Sequence, residues 1–190
     1  MSDASETAAD NLGGRIKAFR KKRALSLDAL AALSGVSRAT ISKIELDQVA
    51  PSTKNLSKIA EALGSSFAEL MSPEAAGETV ILRSGDQPVM TDAASGFKRT
   101  CIAPILPSRG IDWVMNELPP GVSTGGFVPH RIGVEEYIYV LSGELEARLG
   151  DDVHHLSECD ALFFQAHKSH EFKAVGKRAC RYMLIIHNRT

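Results

Sequence analysis

The spacing of apolar residues changes near Met71, and this change constrains the fold more than any other feature of the sequence. Before it, apolar residues recur at helical intervals, as at Leu56, Ala60 and Leu63. After it, short runs such as "EYIYVL" and "CRYMLIIH" are separated by turn signals such as "PPG" and "SG". A chain of 190 residues has room for two small domains. The pattern therefore predicts a helical domain followed by an antiparallel β domain.

The boundaries of these domains follow from local composition. The acidic, polar residues 1–11 predict a disordered tail, and residues 12–72 hold five short helical patterns that favour a compact bundle. Residues 73–79 are rich in Pro, Gly and Ala and predict a linker. Residues 80–190 show β-like runs at fairly even spacing, typical of an antiparallel barrel or sandwich. The predicted fold class is therefore a multidomain α+β chain.

The charges are distributed unevenly, although the formal net charge is only -1. Residues 12–63 carry ten Lys and Arg against four Asp and Glu, whereas residues 72–190 carry twelve against fifteen. A basic segment joined to a mildly acidic one indicates a DNA-binding module fused to a domain that avoids DNA.

Neither membrane insertion nor secretion is predicted. No apolar run approaches the roughly 18 residues that span a bilayer, and the first residues lack the basic and apolar regions of a signal peptide. The three cysteines, Cys101, Cys159 and Cys180, form no CxxC pair and no even disulfide set. We therefore expect a cytoplasmic, nucleoid-associated protein whose thiols are free and buried.

Residues 26–45, "SLDALAALSGVSRATISKIE", have the pattern of two helices joined by a tight turn. Ser26 and Ser37 stand at N-cap positions, and the "SG" between the helices ends the first one. With Ile41 and Ile44 packed inward, the second helix would present its other face to the major groove of DNA. The outward residues would be Arg38, Ala39, Thr40, Ser42 and Lys43. The alternative is that the outward charges are only solvated.

Residues 12–70 resemble the helix-turn-helix domain of the phage-repressor-like (XRE) family of bacterial regulators. The resemblance is carried by "RIKAFRKKRALSLDALA", "GVS", "ISKIE" and "PSTKNLSKIAEAL". It implies that side chains of the second helix of the pair read double-stranded operator DNA. The resemblance implies base contacts for Arg38, Ala39 and Lys43, and places nearer the phosphates Ser37, Thr40 and Ser42.

The same resemblance implies a buried ion pair between Arg20 and Glu45, and two other positions depart from the family pattern. Leu27 stands where many members have a glutamine that contacts the DNA backbone, which puts one phosphate contact in doubt. Asp47 stands where many members have glycine. This second departure is mild because Asp tolerates a left-handed turn.

Two segments of the β half, "PPGVSTGGFVPHRIGVEEYIYVLSGELE" and "LSECDALFFQAHKSHEF", resemble the cupin family. The implied fold is an antiparallel β-barrel, the double-stranded β-helix. The family's first motif, G-x5-H-x-H-x3-E-x6-G, counted back from Gly143, places a glutamate at Glu136 and histidines at His130 and Ile132. The second motif places the last histidine at His170. Because an isoleucine cannot bind a metal, the implied metal ligands are His130, Glu136 and His170.

Two imidazoles and one carboxylate suit Fe, Mn, Ni or Zn and leave coordination positions open. The second segment departs from the family, because Cys159 occupies the usual glycine position and "QAHKSH" replaces a Pro-containing turn. If no metal binds, the same polar residues would line a pocket mouth and bind a small molecule through hydrogen bonds. Candidates for the pocket lining are Trp113, Met115, Tyr139, Phe164, His167 and Tyr182.

Together the resemblances imply a sequence-specific DNA-binding transcription regulator whose β domain senses a small-molecule effector. We expect a homodimer, because a single helix-turn-helix domain (one reading head) buries too little DNA surface for strong specificity. The barrel edges would form the dimer interface. The alternative is a mononuclear metal enzyme resembling the hydroxypropylphosphonate epoxidases, which place their first metal histidine at the position of Ile132. A pure interaction module is a third possibility. Amino acids, polyamines and small carboxylates all stay open as effectors.

Overall fold

The computed structural model describes residues 11–71, 79–104 and 110–188. The chain divides into two compact units, with the boundary between residues 73 and 74. The predicted tail, apart from Asn11, and the predicted linker, apart from Thr79, lie outside the described residues. None of the described helices combines the length and apolar character that a membrane crossing requires.

Five α-helices make up the described part of the first unit, and a capping side chain begins each of the first four. Each of these caps accepts a hydrogen bond from the backbone N–H three residues further on. Before the fifth helix, Ser66 and Glu69 exchange backbone-to-side-chain bonds of 2.7 and 3.1 Å, as in a capping box. The helices are α1 (Leu12–Lys22), α2 (Leu27–Ser34), α3 (Arg38–Glu45), α4 (Thr53–Leu63) and α5 (Phe67–Met71).

The core of the helical unit is built from the residues that set the helical spacing in the sequence. Ile16, Leu30, Ile41, Leu56 and Leu63 are all fully buried, and they come from four different helices. Each helix therefore buries one apolar stripe against the others, which is the condition for a stable bundle of short helices.

Nine strands and one short 3-10 turn (Ser84–Asp86) form the described part of the second unit. All strand pairs are antiparallel. The strands are β1 (Val89–Thr91), β2 (Lys98–Cys101), β3 (Ile111–Leu118), β4 (Val134–Ser142), β5 (Leu145–Leu149), β6 (Asp152–Leu156), β7 (Ala161–Gln165), β8 (His170–Ala174) and β9 (Cys180–Asn188). They form a six-stranded sheet in the order β1-β2-β3-β9-β4-β7 and a three-stranded sheet in the order β6-β5-β8.

The inner faces of the two sheets meet around aromatic side chains. Phe172 of β8 packs edge-on against Tyr182 of β9, with ring centroids 5.8 Å apart, and both residues are fully buried. Along β3 and β4, buried residues alternate with more exposed ones, so each strand has one core face and one outer face. The predicted antiparallel β domain is confirmed. The strand ladders of the described residues form two sheets, however, and do not close into the single barrel that was expected.

Candidate nucleic-acid interface and metal centre

Helix α3 begins at a tight turn that its own side chains stabilise. Gly35, at φ +65, ends α2 in the left-handed conformation that glycine adopts at no steric cost. Ser37 then caps α3, because its Oγ accepts the backbone N–H of Thr40 at 3.1 Å and lies 2.7 Å from the Thr40 hydroxyl. The turn fixes the direction in which α3 leaves α2.

The inward face of α3 holds the helix in place, and the opposite face is accessible. Ile41, Ile44 and Glu45 are buried. The six residues predicted to contact DNA lie on the rest of the helix surface or at its cap. Four of them, Ser37, Arg38, Ala39 and Lys43, are exposed, and the half-buried ones are Thr40 and Ser42.

An ion pair ties the end of α3 to α1. Arg20 donates to both carboxylate oxygens of Glu45, at 2.6 and 2.8 Å, and a third bond of 2.9 Å reaches the Leu25 carbonyl. The hydrogen bond to Glu45 raises the pKa of Arg20 above its usual value, although burial acts in the opposite direction. The two bonds from Arg20 to Glu45 form a bidentate pair, the geometry in which arginine recognises a carboxylate most specifically. It restrains the orientation of α3.

Asp47 has a structural role at the position where the family resemblance implied glycine. Its backbone is left-handed, at φ +54, and its Oδ1 accepts the N–H of Gly13 at 3.2 Å. A Cβ at Gly13 would lie 2.3 Å from the Ile44 carbonyl oxygen, so α1 and the end of α3 approach too closely for any side chain there. The departure from the family pattern therefore leaves the packing intact.

In the second unit, three side chains from separate places in the sequence converge. His130 precedes β4, Glu136 lies on β4, and His170 is the first residue of β8. Glu136 Oε1 lies 3.2 Å from His130 Nε2 and 3.4 Å from His170 Nε2. The ligand atoms of all three lie within 4.8 Å of one another, and Glu136 and His170 are buried. This group is the His-Glu-His set named from the sequence.

The geometry of this group and the charge of Glu136 suit a bound cation. Burial alone would raise the pKa of Glu136, but hydrogen bonds to His130 and His170 lower it to about 2, so the side chain is a carboxylate. His170 Nδ1 donates to the Lys168 carbonyl at 3.1 Å, which fixes the orientation of the ring with Nε2 on the side of Glu136. Glu136 Oε1 lies near Nε2 of both histidines, so a metal cation could bind the same three atoms. Two imidazole nitrogens and one carboxylate oxygen suit a divalent metal. The hydrogen bond from Nδ1 of His170 orients one of the two imidazoles, as is common for metal-binding histidines.

The neighbouring sequence candidates lie outside this group. Ile132, at the family's second histidine position, is 92% exposed. His167 is exposed and lines a separate cavity of about 190 Å³ together with His154 and Lys168. The residue before Glu136, Glu135, points to the other face of β4 and lies 3.9 Å from His187, as strand alternation predicts.

Five of the six predicted pocket residues divide between the two faces of the large sheet, and the sixth, His167, lies between β7 and β8. Phe164 and Tyr182 are buried on the inner face, and the Phe164 ring meets the His170 ring edge-on at 5.5 Å. The outer face carries Trp113, Met115 and Tyr139. The alternation of side chains along "IDWVMNEL" accounts for the outward positions of Trp113 and Met115, because Asp112, Val114 and Asn116 occupy the inward positions.

The outer face of the six-stranded sheet is apolar and accessible. Trp113, Tyr137, Tyr139 and Phe163 are between 38% and 51% exposed. Together with neighbouring aliphatic residues they line an open depression of about 420 Å³. Tyr137 and Phe163 pack against each other with ring centroids 5.0 Å apart. Sequence reasoning took two of these side chains for pocket residues and missed the surface they share.

Comparison with known proteins matches both units. Residues 16–70 match the family described as helix-turn-helix, and residues 114–186 match the cupin domain. The chain is 27% identical over 170 residues to the HTH-type transcriptional regulator PuuR of Escherichia coli (strain K12), covering 89% of this chain and 90% of that protein. The crystal structure of an HTH_3 family transcriptional regulator from Vibrio cholerae is similar, with a TM-score of 0.76 and 25% identity. That match covers 98% of this chain and 100% of the other.

A structure of the epoxidase HppE with the alternative substrate (S)-1-HPP shares the fold at a lower level. Its TM-score is 0.50 at 18% identity, covering 92% of this chain and 95% of that one. A likeness of this size concerns the fold alone. Ile132, which stands at the histidine position of the epoxidase pattern, offers no metal-binding atom. The enzyme alternative therefore has no support at the residue that distinguishes it.

Proposed function

We infer that the chain is a DNA-binding transcriptional regulator of the helix-turn-helix (XRE) type that carries a cupin domain, because both domains match and the regulators similar to it match along most of its length. From this premise we propose that α3 reads an operator sequence while the cupin domain senses a small molecule. The observation that carries the proposal is the division of α3 into two faces. Its apolar face is locked into the core by Ile41 and Ile44, and its exposed face presents Arg38 and Lys43.

Within the reading helix, we assign the base contacts to Arg38, Ala39 and Lys43. Arginine and lysine recognise guanine edges in the major groove, and a small residue such as Ala39 allows close approach or contact with a thymine methyl group. The hydroxyl groups at the cap and along α3 suit phosphate oxygens. These residues are Ser37, Thr40 and Ser42.

In the cupin domain, we propose that His130, Glu136 and His170 hold a divalent metal such as Zn, Fe, Mn or Ni. The orientation of His170 by the Lys168 carbonyl supports this assignment, because metal-binding histidines commonly donate their second ring N–H to such an acceptor. A metal there would supply a localised positive charge that attracts an anionic or polar ligand. The protein's own contribution is the buried, preorganised donor set.

We propose a homodimer in which two copies cover each other's outer sheet face. Two reading heads are needed to contact two half-sites about one helical turn apart. A second copy of the chain is the occupant that the apolar face suits, because Trp113, Tyr137, Tyr139 and Phe163 are the aromatic residue types that interfaces favour. This places the interface on a sheet face, whereas the sequence suggested sheet edges.

The effector would act by binding the two arrangements of the dimer with different affinity. A ligand changes DNA binding only when it favours one arrangement of the reading heads over another. The cupin domain supplies the ligand contacts and the proposed dimer interface, so both lie in one unit. This organisation is consistent with a sensor that changes the spacing or angle of the two heads.

DNA binding is tested by fluorescence anisotropy with labelled DNA from upstream of the protein's own gene. We expect affinity to fall steeply as salt rises, because Lys and Arg release counterions from the phosphates. Arg38→Ala should reduce discrimination between operator and random DNA. The control Arg178→Ala removes an exposed cation from the cupin domain and should leave discrimination unchanged. Salt-insensitive binding, or equal discrimination by Arg38→Ala, would contradict the assignment of α3.

Metal binding is tested by elemental analysis of purified protein and by calorimetric titration with Zn²⁺. The full chain should take up one equivalent per chain, and both Glu136→Gln and His170→Gln should lose that uptake. His155→Gln, which changes an exposed histidine on β6, is the matched control and should retain it. Equal uptake by all four proteins would show that the metal binds elsewhere.

The dimer is tested by light scattering coupled to size-exclusion chromatography. Phe163→Glu places a charge in the apolar outer face and should shift the protein towards the monomer. Val153→Glu places the same charge at a 40% exposed position on β6, in the small sheet, and should not. A wild-type monomer, or dissociation by both variants, would rule out this interface.

A further inference from the structure

Three buried side-chain atoms on the inner face of the six-stranded sheet form no hydrogen bond of normal geometry within the described part of the chain. They are Nδ2 of Asn116, Oε2 of Glu136 and Oη of Tyr182. All three residues are at most 1% exposed. Native proteins rarely leave a buried polar group unsatisfied, and such groups concentrate where a ligand or ion completes the site.

Two of these residues form a row with a buried arginine. Arg99 on β2 pairs with Asn116 on β3, which pairs in turn with Tyr182 on β9. Arg99 is only 3% exposed, and its Nε donates to Asn116 Oδ1 at 2.9 Å. That bond fixes the amide so that its Nδ2 donor is directed elsewhere. The row thus combines a guanidinium, an amide N–H₂ and a phenol O–H, all of which can donate.

The row lies beside the proposed metal ligands. The guanidinium carbon of Arg99 lies 5.5 Å from the centre of the Phe127 ring, and the His170 ring stacks on that same ring at 5.4 Å. Phe172 contacts both His170, at 5.7 Å, and Tyr182, at 5.8 Å. Arg99 and Tyr182 are therefore each one aromatic ring away from the metal ligand His170.

The charges of this interior favour an anion. Among the described residues of the second unit, the buried charged side chains are Arg99, Asp112 and Glu136. Burial lowers the pKa of Arg99, with the fields of Tyr182 and Glu136 opposing this shift, and a guanidinium stays protonated in proteins. One cation and two carboxylates become a net positive site once a divalent metal binds. A cationic ligand would be repelled by both the metal and Arg99.

Burial also keeps the phenol of Tyr182 protonated. It raises the pKa of Tyr182 well above its usual range, with the charge of Arg99, and more weakly the neighbouring Asn116 side chain, acting in the opposite direction. A protonated phenol is a hydrogen-bond donor, so it complements Arg99 and Asn116. A flat carboxylate offers two oxygens with several lone pairs and matches the planar fork of arginine.

We propose that Arg99, Asn116 and Tyr182 form the effector-binding subsite of the cupin domain and that they recognise the carboxylate group of a small organic acid or amino acid. This inference rests on the proposed function of the domain as a sensor. It selects among the effector classes that the sequence left open, because polyamines lack an anionic group.

The experiment is calorimetric titration of the full-length protein, both Zn²⁺-loaded and metal-free. The probes are succinate, alanine, the uncharged analogue succinamide, 1,4-diaminobutane, inorganic phosphate and sulfate. We expect succinate or alanine to bind, and to bind more tightly to the Zn²⁺-loaded form, with no binding of succinamide or the diamine. Binding of the diamine or of the inorganic anions alone would overturn the proposal, as would the absence of carboxylate binding.

The discriminating variant is Tyr182→Phe, which removes only the hydroxyl. Because that hydroxyl forms no hydrogen bond of normal geometry among the described residues, the variant should fold with little change in stability while binding the carboxylate about tenfold more weakly. Thr91→Val, which removes an exposed hydroxyl from β1 of the same sheet, is the control and should bind normally. Arg99→Met should abolish binding. Equal affinity of Tyr182→Phe and wild type would overturn the subsite.

Failure of the subsite and failure of the regulator assignment give different results. If the protein binds its operator and takes up metal but binds no carboxylate, only the subsite is wrong. If Arg38→Ala leaves operator discrimination unchanged, the assignment of α3 is wrong, whatever the titrations show. Carboxylate binding that depends on Tyr182 but leaves DNA binding unaltered supports the subsite and contradicts the role of the cupin domain as a sensor.

Discussion

The carboxylate of Asp28 lies 3.2 Å from Nε of Arg38, so α2 engages the first residue of the exposed helix α3. The side chains of Asp28 and Arg38 are 78% and 62% exposed. An ion pair this exposed contributes little stability, because water and salt screen it. The pair nevertheless occupies the Arg38 guanidinium, so DNA that binds α3 has to compete with Asp28 for it.

We therefore predict that Asp28→Asn strengthens binding to DNA. The substitution releases Arg38 and removes one negative charge close to the proposed phosphate contacts, so affinity should rise by several-fold, on the order of 1 kcal/mol. Fluorescence anisotropy at two salt concentrations measures the change. The gain should shrink as salt rises, because screening weakens both effects.

A control separates this local effect from a change in net charge. Glu158→Gln also neutralises one carboxylate of an exposed ion pair, with Arg178 at 3.9 Å, but it lies in the cupin domain. Equal gains in affinity for the two variants would mean that total charge is responsible. A loss of affinity in Asp28→Asn would mean that Asp28 positions Arg38 for DNA.

The helices of the first unit could be predicted from the sequence because the signals that define them are local. Each cap and the residue that it bonds are three positions apart, and the apolar stripe repeats within single helices. The Arg20–Glu45 contact joins residues 25 positions apart, and it was anticipated only through the family resemblance. No spacing rule would have found the bond between Gly13 and Asp47.

In the cupin unit, the sequence predicted contacts only between residues that belong to a family motif. His130 and Glu136 are six positions apart around the start of one strand, so the motif spacing brought them together with His170. Arg99 and Asn116 carry no motif, and their meeting depends on the register between β2 and β3. Strand register is set by the whole sheet. The pattern of one strand cannot reveal it.

The Arg20–Glu45 pair predicts a large cost for breaking it from one side. Glu45→Ala leaves the guanidinium of Arg20, whose side chain is 12% exposed, without its carboxylate partner. We expect the helical unit to lose about 2 kcal/mol of unfolding free energy. Urea unfolding followed by circular dichroism at the helical signal gives this value. DNA affinity should fall as well, because α3 is less restrained.

The matched control for that prediction is Glu117→Ala. Glu117 pairs with Arg181 at 3.4 Å, but the two side chains are 45% and 53% exposed. Its loss should cost less than about 1 kcal/mol, as for other surface pairs. If both substitutions had equal effects, the burial of Arg20 and Glu45 would not be the reason for the stability of the pair.

Cys159 predicts a stabilising substitution. It is exposed and lies at the third position of a turn that the Asp160 N–H closes to the Ser157 carbonyl at 3.0 Å, with φ +73. That conformation is strained for any side chain and free of strain for glycine, the residue that the family resemblance implied. Cys159→Gly should raise the unfolding free energy of the cupin unit by about 0.5 to 1 kcal/mol, the relief of strain outweighing the added freedom of the unfolded chain.

The same turn supplies the comparison. Ser157 is exposed but does not have positive φ, so Ser157→Gly relieves no strain and should lower stability. Ala24, at φ +53 after α1, is a second left-handed position where glycine should stabilise. Thermal unfolding of the three variants decides the matter. Stabilisation by Ser157→Gly, or destabilisation by both other variants, would show that backbone strain is not the controlling factor.

The two buried thiols predict a loss of stability in alkali. Burial, and to a smaller extent Asp112, raises the pKa of Cys101 from 9.0 to about 12, while Arg99 acts in the opposite direction. Burial raises the pKa of Cys180 from 9.0 to about 11. The unfolded chain therefore loses these protons first as pH rises. The stability that the neutral thiols contribute is complete below pH 9 and is lost as pH rises towards the folded-state values.

Unfolding free energies at pH 8, 9 and 10 should therefore decline in the wild type, each thiol adding up to about 1.4 kcal/mol per pH unit above pH 9. The double variant Cys101→Ala/Cys180→Ala should be less stable at pH 8, because it creates cavities, yet its stability should fall less with pH. Val114→Ala creates a cavity beside Cys101 in the ladder without removing a thiol. It should keep the wild-type slope, and a slope as shallow as that of the double variant would show that cavities, and not thiol ionisation, control the alkaline response.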